Sequence, residues 1–173
     1  MTWRAPDVQR TEPAEPAPER AALQAWLDFH RETLRFKCQG LTGEQLVRRT
    51  AEPSTLSLLG LVRHMADVER AWFRRRLDGQ ADLSALYWSE EHPDGDFDLA
   101  DADGAEAAFA TYQAECALAD EAAAGRSLDD TFISSDGNTL DLRWIYLHMI
   151  EEYARHNGHA DILRERLDGV TGD

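Results

Sequence analysis

The amino-acid sequence predicts an all-α protein, a four-helix bundle with a long connection between its second and third helices. In four separate segments of the 173-residue chain, apolar residues recur at the spacing of an amphipathic helix. The longest segment, residues 140–167, contains no proline and a single internal glycine. Four helices that each carry one apolar face can bury those faces against one another, which favours a bundle.

The first helix is predicted over residues 19–38, and Gly40 follows it as a C-terminal glycine should. Residues 1–18 hold four of the six prolines, so we expect them to form a flexible N-terminal arm. The bundle itself is predicted as a single domain over residues 19–169. The second helix spans residues 57–77, after hydroxyl residues that suit an N-cap.

The third helix is predicted over residues 105–124 and the fourth over residues 140–167. The connection 79–104 carries eight acidic residues and is expected to be a solvated loop. Within it, Tyr87 and Trp88 either cover the mouth of a pocket or pin the loop to the core. Asp136-Gly137-Asn138 predicts a turn, which could close a small hairpin ahead of the fourth helix.

The composition excludes several classes of function. The net charge of −15 argues against nucleic-acid binding and against an anionic membrane surface. No apolar run approaches the 18 residues of a membrane-spanning helix, and the N-terminus is not a signal peptide. Cys38 and Cys116 form no metal-binding motif, so we expect a cytoplasmic protein with free thiols, although a disulfide between the two stays open.

Two polar residues of the fourth helix face the predicted core. His156 lies within the apolar stripe, and Glu152, four residues earlier, lies at its edge. A buried carboxylate is costly unless it is paired or binds a metal. The two side chains either satisfy each other or serve a site, with His148 and His159 on the flank. On the first helix, His30 is either a core histidine or faces the same cavity.

His64 adds a third candidate ligand, because it lies at the edge of the apolar stripe of the second helix. Two histidines and one carboxylate, two of them one helical turn apart, suit a divalent transition metal. Catalytic zinc sites use three protein ligands and an open position, and non-haem iron uses a similar set. The interior of a helical bundle is where such sites are built.

Two segments carry a resemblance to a known group of proteins. LVRHMADVE in the second helix and HMIEEYARHNGHADILRE in the fourth resemble the DinB-like metal-binding four-helix bundle superfamily. His156-Asn157-Gly158-His159 stands where His-Arg-Gly-Gln is usual, and Glu152 stands where many members carry a histidine. That departure is similar to the branch containing mycothiol-dependent maleylpyruvate isomerase, whose metal is held by two histidines and a glutamate.

The resemblance implies a homodimeric bundle of up-down-down-up topology that binds one divalent metal per chain through His64, Glu152 and His156. Zinc is the expected metal, with nickel or iron as alternatives, and His148 or His159 could join the site. In such relatives the metal activates a low-molecular-weight thiol, such as mycothiol or bacillithiol, for S-transfer or isomerisation.

The sequence therefore favours a metal-dependent thiol S-transferase or isomerase whose partners are a small-molecule thiol and an electrophile. A non-catalytic, metal-binding stress-response bundle with a small-molecule pocket is the alternative. A third hypothesis has the polar residues pairing with one another without any metal. No catalytic residue beyond the metal ligands is assigned.

Overall fold

The computed structural model describes residues 2–134 and 137–172, which are mostly helical. The long helices are α1 (Glu19–Cys38), α3 (Leu58–Glu69), α5 (Ala105–Ala123) and α6 (Leu142–Asp168). A π-helical segment, Arg70–Leu77, continues α3 without a break. Short helices α2 (Gly43–Leu46) and α4 (Gly95–Asp98) lie in the connections, and strands β1 (Thr131–Ile133) and β2 (Thr139–Asp141) precede α6.

The four predicted helices form at the predicted places because their ends are specified locally. The hydroxyl of Ser57 accepts a hydrogen bond from the Gly60 N–H and begins α3. The carboxylate of Asp141 accepts one from the Trp144 N–H and begins α6. Gly40 and Gly169 follow α1 and α6 in the left-handed region, which costs glycine nothing.

The long helices pack in pairs. α1 lies mainly against α6, α3 and its π-helical extension lie against α5, and α3 also contacts α6. Each contributes fully buried apolar side chains, among them Leu34, Met65, Tyr112 and Met149. The mostly helical class agrees with the predicted all-α fold, whereas the up-down-down-up order of a four-helix bundle stays a prediction.

A two-stranded antiparallel sheet is the β structure of the described residues. It pairs Thr131 with Asp141 and Ile133 with Thr139, so the predicted hairpin is confirmed. Asp136 of the predicted turn lies outside the described residues. No helix in residues 2–134 and 137–172 is long and apolar enough to cross a bilayer. Cys38 and Cys116 are both free thiols.

The N-terminal arm contacts the helices at several points. Ala5 and Val8 are buried, and the Ala5 N–H donates to the carbonyl of Leu41 at 2.9 Å. The indole of Trp3 meets the ring of Phe109 edge-on, with 5.4 Å between centroids. Burial of these apolar side chains favours the docked arm.

The acidic connection is held against α3 by polar contacts along one face of the helix. The carboxylate of Asp67 accepts from the N–H groups of Leu86 and Tyr87 at 2.6 and 2.9 Å. The guanidinium of Arg63 donates to the carbonyls of Gly95 and Asp96 at 2.8 and 2.9 Å. These contacts place α4 beside the middle of α3, where His64 lies.

Candidate metal centre

The structure brings the three predicted ligands together. His64 of α3 and Glu152 and His156 of α6 each offer one ligand atom, and these atoms all lie within 4.8 Å of one another. Glu152 and His156 share a face because they are four residues apart on one helix. The Nε2 atom of His156 lies 3.4 Å from Oε2 of Glu152, and the imidazoles of His64 and His156 are 4.8 Å apart between centroids.

The orientation of His64 is set by a residue of the acidic connection. Its Nδ1 atom lies 2.8 Å from Oδ2 of Asp96, whose side chain is only 15% exposed. An ionised carboxylate can only accept, so Nδ1 carries the proton and donates it. In the neutral ring Nε2 is then the unprotonated nitrogen, which is the atom that can bind a metal. Metal-ligating histidines commonly carry such a carboxylate on their other nitrogen.

Glu152 lacks the hydrogen bonds that a half-buried carboxylate normally has. Its side chain is 18% exposed, and it accepts no hydrogen bond from any residue in the described parts of the chain. Its nearest nitrogen neighbours are imidazoles, with Oε2 lying 3.4 Å from Nε2 of His156 and Oε1 lying 3.7 Å from Nε2 of His148. A carboxylate without partners in this position is costly, and a bound cation would remove that cost.

His156 is kept neutral by its surroundings. Burial is the main cause, and the neighbouring His64 and His159 add to it, so the pKa of His156 falls to about 4. The neutral imidazole is the form that binds a metal. The Nδ1 atom of His159 lies 3.4 Å from Nδ1 of His156, behind the ring as seen from Glu152.

The donor set therefore fits a divalent transition metal. Two imidazole nitrogens and one carboxylate oxygen, contributed by two facing helices, match the three-ligand pattern of catalytic zinc. Nickel and iron accept the same donors. One of the ligands is already oriented by Asp96, and another is a carboxylate that no hydrogen bond satisfies.

The other candidate histidines have different surroundings. His148 stacks on Trp144 and meets Trp72 edge-on, and burial lowers its pKa. It also forms a second group with Glu151 and Glu152, although Glu151 is paired with Arg155. His30 lies beside Asn157, whose side-chain amide donates to the His30 carbonyl at 3.1 Å. The structure thus places His30 between α1 and α6 and outside the three-ligand group.

A cavity of about 410 Å³ is lined by His64 and by residues of α3 and its π-helical segment. This volume is within the range of small-molecule sites. Its lining residues come from α3, the π-helical segment and the acidic connection: His64, Asp67, Val68, Ala71, Trp72, Arg75, Arg76, Ala85, Trp88, Pro93, Asp94, Asp96 and Phe97. Trp88 therefore lies on the cavity, and Tyr87 instead packs under the guanidinium of Arg63, 4.0 Å from its ring centre.

Asp96 is the site residue that the sequence did not identify. It is one of eight acids in the connection, and nothing in its local pattern distinguishes it from Asp94 or Asp98. The neighbouring aromatic residue, Phe97, is the sequence feature that could have indicated that this part of the connection packs on the second predicted helix. Phe97 stacks on His64 at 5.7 Å and occupies the space that a side chain at Gly60 would fill.

Two histidines and one carboxylate converge between helices, and one of the histidines lines a cavity, so this is a helical protein with a candidate metal centre. Comparison with known families gives the relationship: a model of the mycothiol S-transferase family matches residues 22–169. The chain therefore belongs to the mycothiol S-transferase family, which confirms the resemblance to the DinB-like superfamily. No curated protein and no solved structure matched the chain.

Proposed function

We propose that this protein is a metal-dependent thiol S-transferase, with mycothiol as its thiol substrate and zinc as its metal. The observation that carries the proposal is the group formed by His64, Glu152 and His156, of which His64 lines a cavity, in a member of the mycothiol S-transferase family. Nickel and iron are the alternative metals. A homodimeric assembly, the up-down-down-up bundle and a cytoplasmic location belong to the same proposal.

The three ligands would hold the metal and leave one coordination position for the thiol. When bound, the metal supplies one chemical effect, which is to lower the pKa of the thiol so that it is present as a thiolate near neutral pH. Glu152 contributes a negative charge that two neutral imidazoles lack. The site is therefore less positive than one with three histidines, so a bound thiolate would keep more of its nucleophilicity.

The residues around the ligands have their own roles in S-transfer. Asp96 holds His64 in the tautomer that can coordinate, and Phe97 keeps the ring in place by stacking. The apolar walls of the cavity, Val68 and Trp72 among them, exclude water from the bond that forms between the sulfur and the electrophile. Isomerisation would use the same nucleophile through reversible addition of the sulfur to the substrate.

Metal content tests the ligand assignment. We expect about one equivalent of metal per chain in the purified protein. His156→Ala should retain none after dialysis against a weak chelator. His159→Ala is the matched control, since it removes a half-buried imidazole one turn away that is outside the three-ligand group. Full metal occupancy in His156→Ala would refute the assignment, and loss in both variants would show that His159 is a ligand.

Catalysis requires a separate measurement. Metal-loaded protein should accelerate the loss of mycothiol in the presence of an alkylating electrophile, and chelator should abolish the acceleration. Retained metal with no acceleration across several electrophiles would support the alternative, a non-catalytic metal-binding bundle with a small-molecule pocket. Absence of metal even after reconstitution would leave Glu152 and His156 as a structural pair.

A further inference from the structure

The charges that line the cavity are distributed unevenly along its length. At the end near the metal centre lie the carboxylates of Asp67, Asp94 and Asp96, and at the far end lie the guanidinium groups of Arg75 and Arg76. Two of the carboxylates are already in use, because Asp67 accepts from two backbone N–H groups and Asp96 accepts from His64. Asp94 is exposed at the rim.

Arg75 is the unusual member of this set. It is half-buried, and it has no hydrogen-bond or ion-pair partner among residues 2–134 and 137–172. The chain carries 33 acidic residues against 18 basic ones, so a carboxylate partner is easily available to an arginine on this surface. Arg70 and Arg74, on the same turn of the helix, both bind Glu115. A half-buried guanidinium retains donors for a carboxylate or phosphate ligand.

The π-helical winding brings the neighbouring residues to the same wall. The guanidinium of Arg76 lies over the indole of Trp72 at 4.2 Å, and its Nη1 donates to the carbonyl of Ala71. Trp72 in turn forms the apolar stretch of the cavity together with Val68 and Ala71. π-Helical turns within α-helices are rare and are frequent at functional sites.

We propose that the electrophile accepted by this protein is an amphipathic anion whose carboxylate or phosphate binds Arg75 while its reactive carbon lies near His64. This inference rests on the proposed S-transferase function for the reactive end, whereas the anion site stands on Arg75 alone. Eleven residues separate His64 from Arg75, which places their backbones roughly 15 Å apart along the helix. Both residues line the cavity, and a substituted benzene ring with its anionic group at one end is the class of electrophile that we test.

A matched pair of electrophiles tests the reactive arrangement: 4-(bromomethyl)benzoate and its uncharged analogue 4-(bromomethyl)benzamide, each with mycothiol and metal-loaded protein. In both reactions the thiolate sulfur attacks the benzylic carbon, the C–S bond forms as the C–Br bond breaks, and bromide leaves with the electron pair. We expect kcat/KM to favour the benzoate by about tenfold after subtraction of the uncatalysed rate. Arg75→Gln should remove the preference.

Arg48→Gln is the control for net charge, because Arg48 is exposed, has no ion-pair partner in the described chain and lies outside the cavity. It should leave the preference unchanged. Equal rates for the two electrophiles in the unmodified protein would overturn the anion inference while leaving the S-transferase proposal intact. A preference that survives Arg75→Gln would overturn the role of Arg75.

Binding of an unreactive anion separates this inference from the proposed function. We expect 4-methylbenzoate to bind chelator-treated protein measurably more tightly than 4-methylbenzamide, in calorimetric titrations at low ionic strength. Arg75→Gln should abolish the difference. A carboxylate that binds only the metal-loaded protein would contradict the proposal, because the metal and not Arg75 would then be its partner. This result stands whether or not the protein transfers a thiol.

Discussion

Tyr153 and Glu152 are adjacent on α6, but each belongs to a different cluster of polar side chains, and the two clusters have different surroundings. Tyr153 belongs to a closed network in the core, in which Glu69 accepts from Tyr153 at 2.7 Å and from two guanidinium nitrogens of Arg31 at 2.7 and 2.8 Å. Tyr112 completes it through a hydrogen bond to Tyr153 at 2.9 Å. Every oxygen of the buried carboxylate has a donor, so nothing further is needed.

Glu152 belongs to the other kind of group. It faces His64 and His156 across distances that are too long or too poorly aligned for hydrogen bonds, and His64 of this group lines a cavity. The comparison gives a criterion for polar residues inside a helical protein. A group whose members satisfy one another is structural, whereas a converging group with unsatisfied polar atoms is a candidate ligand site.

The closed network should give the largest effect on stability. Glu69→Ala would remove the buried partner of the Arg31 guanidinium, itself 5% exposed, and leave it only its pairs with the more exposed Asp28 and Asp120. We expect the free energy of unfolding to fall by about 3–5 kcal/mol. Urea denaturation measures the change, and Glu121→Ala, an exposed acid on α5, is the control for charge.

Should Glu69→Ala fail to fold, Tyr153→Phe makes a milder test, because it removes only the hydroxyl that bonds Glu69 and Tyr112 and costs about 1–3 kcal/mol. Tyr153→Phe should keep full metal content despite its position next to Glu152. A substantial loss of metal in this variant would show that the two groups are not separate.

The group of His64, Glu152 and His156 should affect stability only when a metal is bound to it. Zinc at 100 times its dissociation constant should raise the free energy of unfolding by about 2.7 kcal/mol. Glu152→Gln should lose that increment and yet unfold, when metal-free, no more easily than the metal-free original, because no hydrogen bond is removed. A metal-free Glu152→Gln protein that is clearly destabilised would place Glu152 in the structural class.

Asp96 tests the candidate site indirectly, because it would affect a bound metal only through His64. Asp96→Asn keeps the size of the side chain but no longer demands a donor, so His64 is less firmly held in the coordinating tautomer. We expect zinc affinity to fall by about 10- to 100-fold, which corresponds to about 1.4–2.8 kcal/mol. Competition with a chromophoric chelator measures it.

The control for that substitution is Asp98→Asn. Asp98 lies two residues away and pairs with Arg49 on the surface, so its amide variant should bind zinc normally. Equal effects of the two substitutions would indicate that the general negative charge of the connection, and not the contact with His64, supports the metal.

These contrasts also explain what the sequence could and could not predict. The four long helices were predictable because their apolar residues repeat at helical spacing, and α3 and α6 also begin at side-chain caps. The pairing of Glu152 with His156 follows from the same periodicity. The approach of His64 required helix packing, and the family resemblance supplied what spacing alone left open.

The contacts that the sequence did not predict belong to the connection and to backbone hydrogen bonding. Asp96 reaches His64 only because Arg63 and Asp67 hold the loop against α3, and such contacts have no period along the chain. The predicted second helix is divided into α3 and a π-helical segment, since the shift from i+4 to i+5 bonding leaves no mark in the apolar pattern.

The smallest expected effect is a dependence of stability on pH in the metal-free protein. The pKa of His156 is about 4 in the folded state and near 6.5 in the unfolded chain. The unfolded state therefore binds more protons between these values, so the contribution of His156 to stability is complete above pH 6.5 and is lost as the pH falls toward 4. Since the ring is partly exposed, we expect a loss below about 1 kcal/mol between pH 6.5 and 5.5.

Urea titrations of chelator-treated protein and of His156→Gln, in which residue 156 cannot titrate, separate the contribution of His156 from that of the carboxylates. Identical pH profiles for the two proteins would mean that the ring is solvated enough to take up its proton in the folded state. The group of His64, Glu152 and His156 would then be more exposed to water than its geometry indicates.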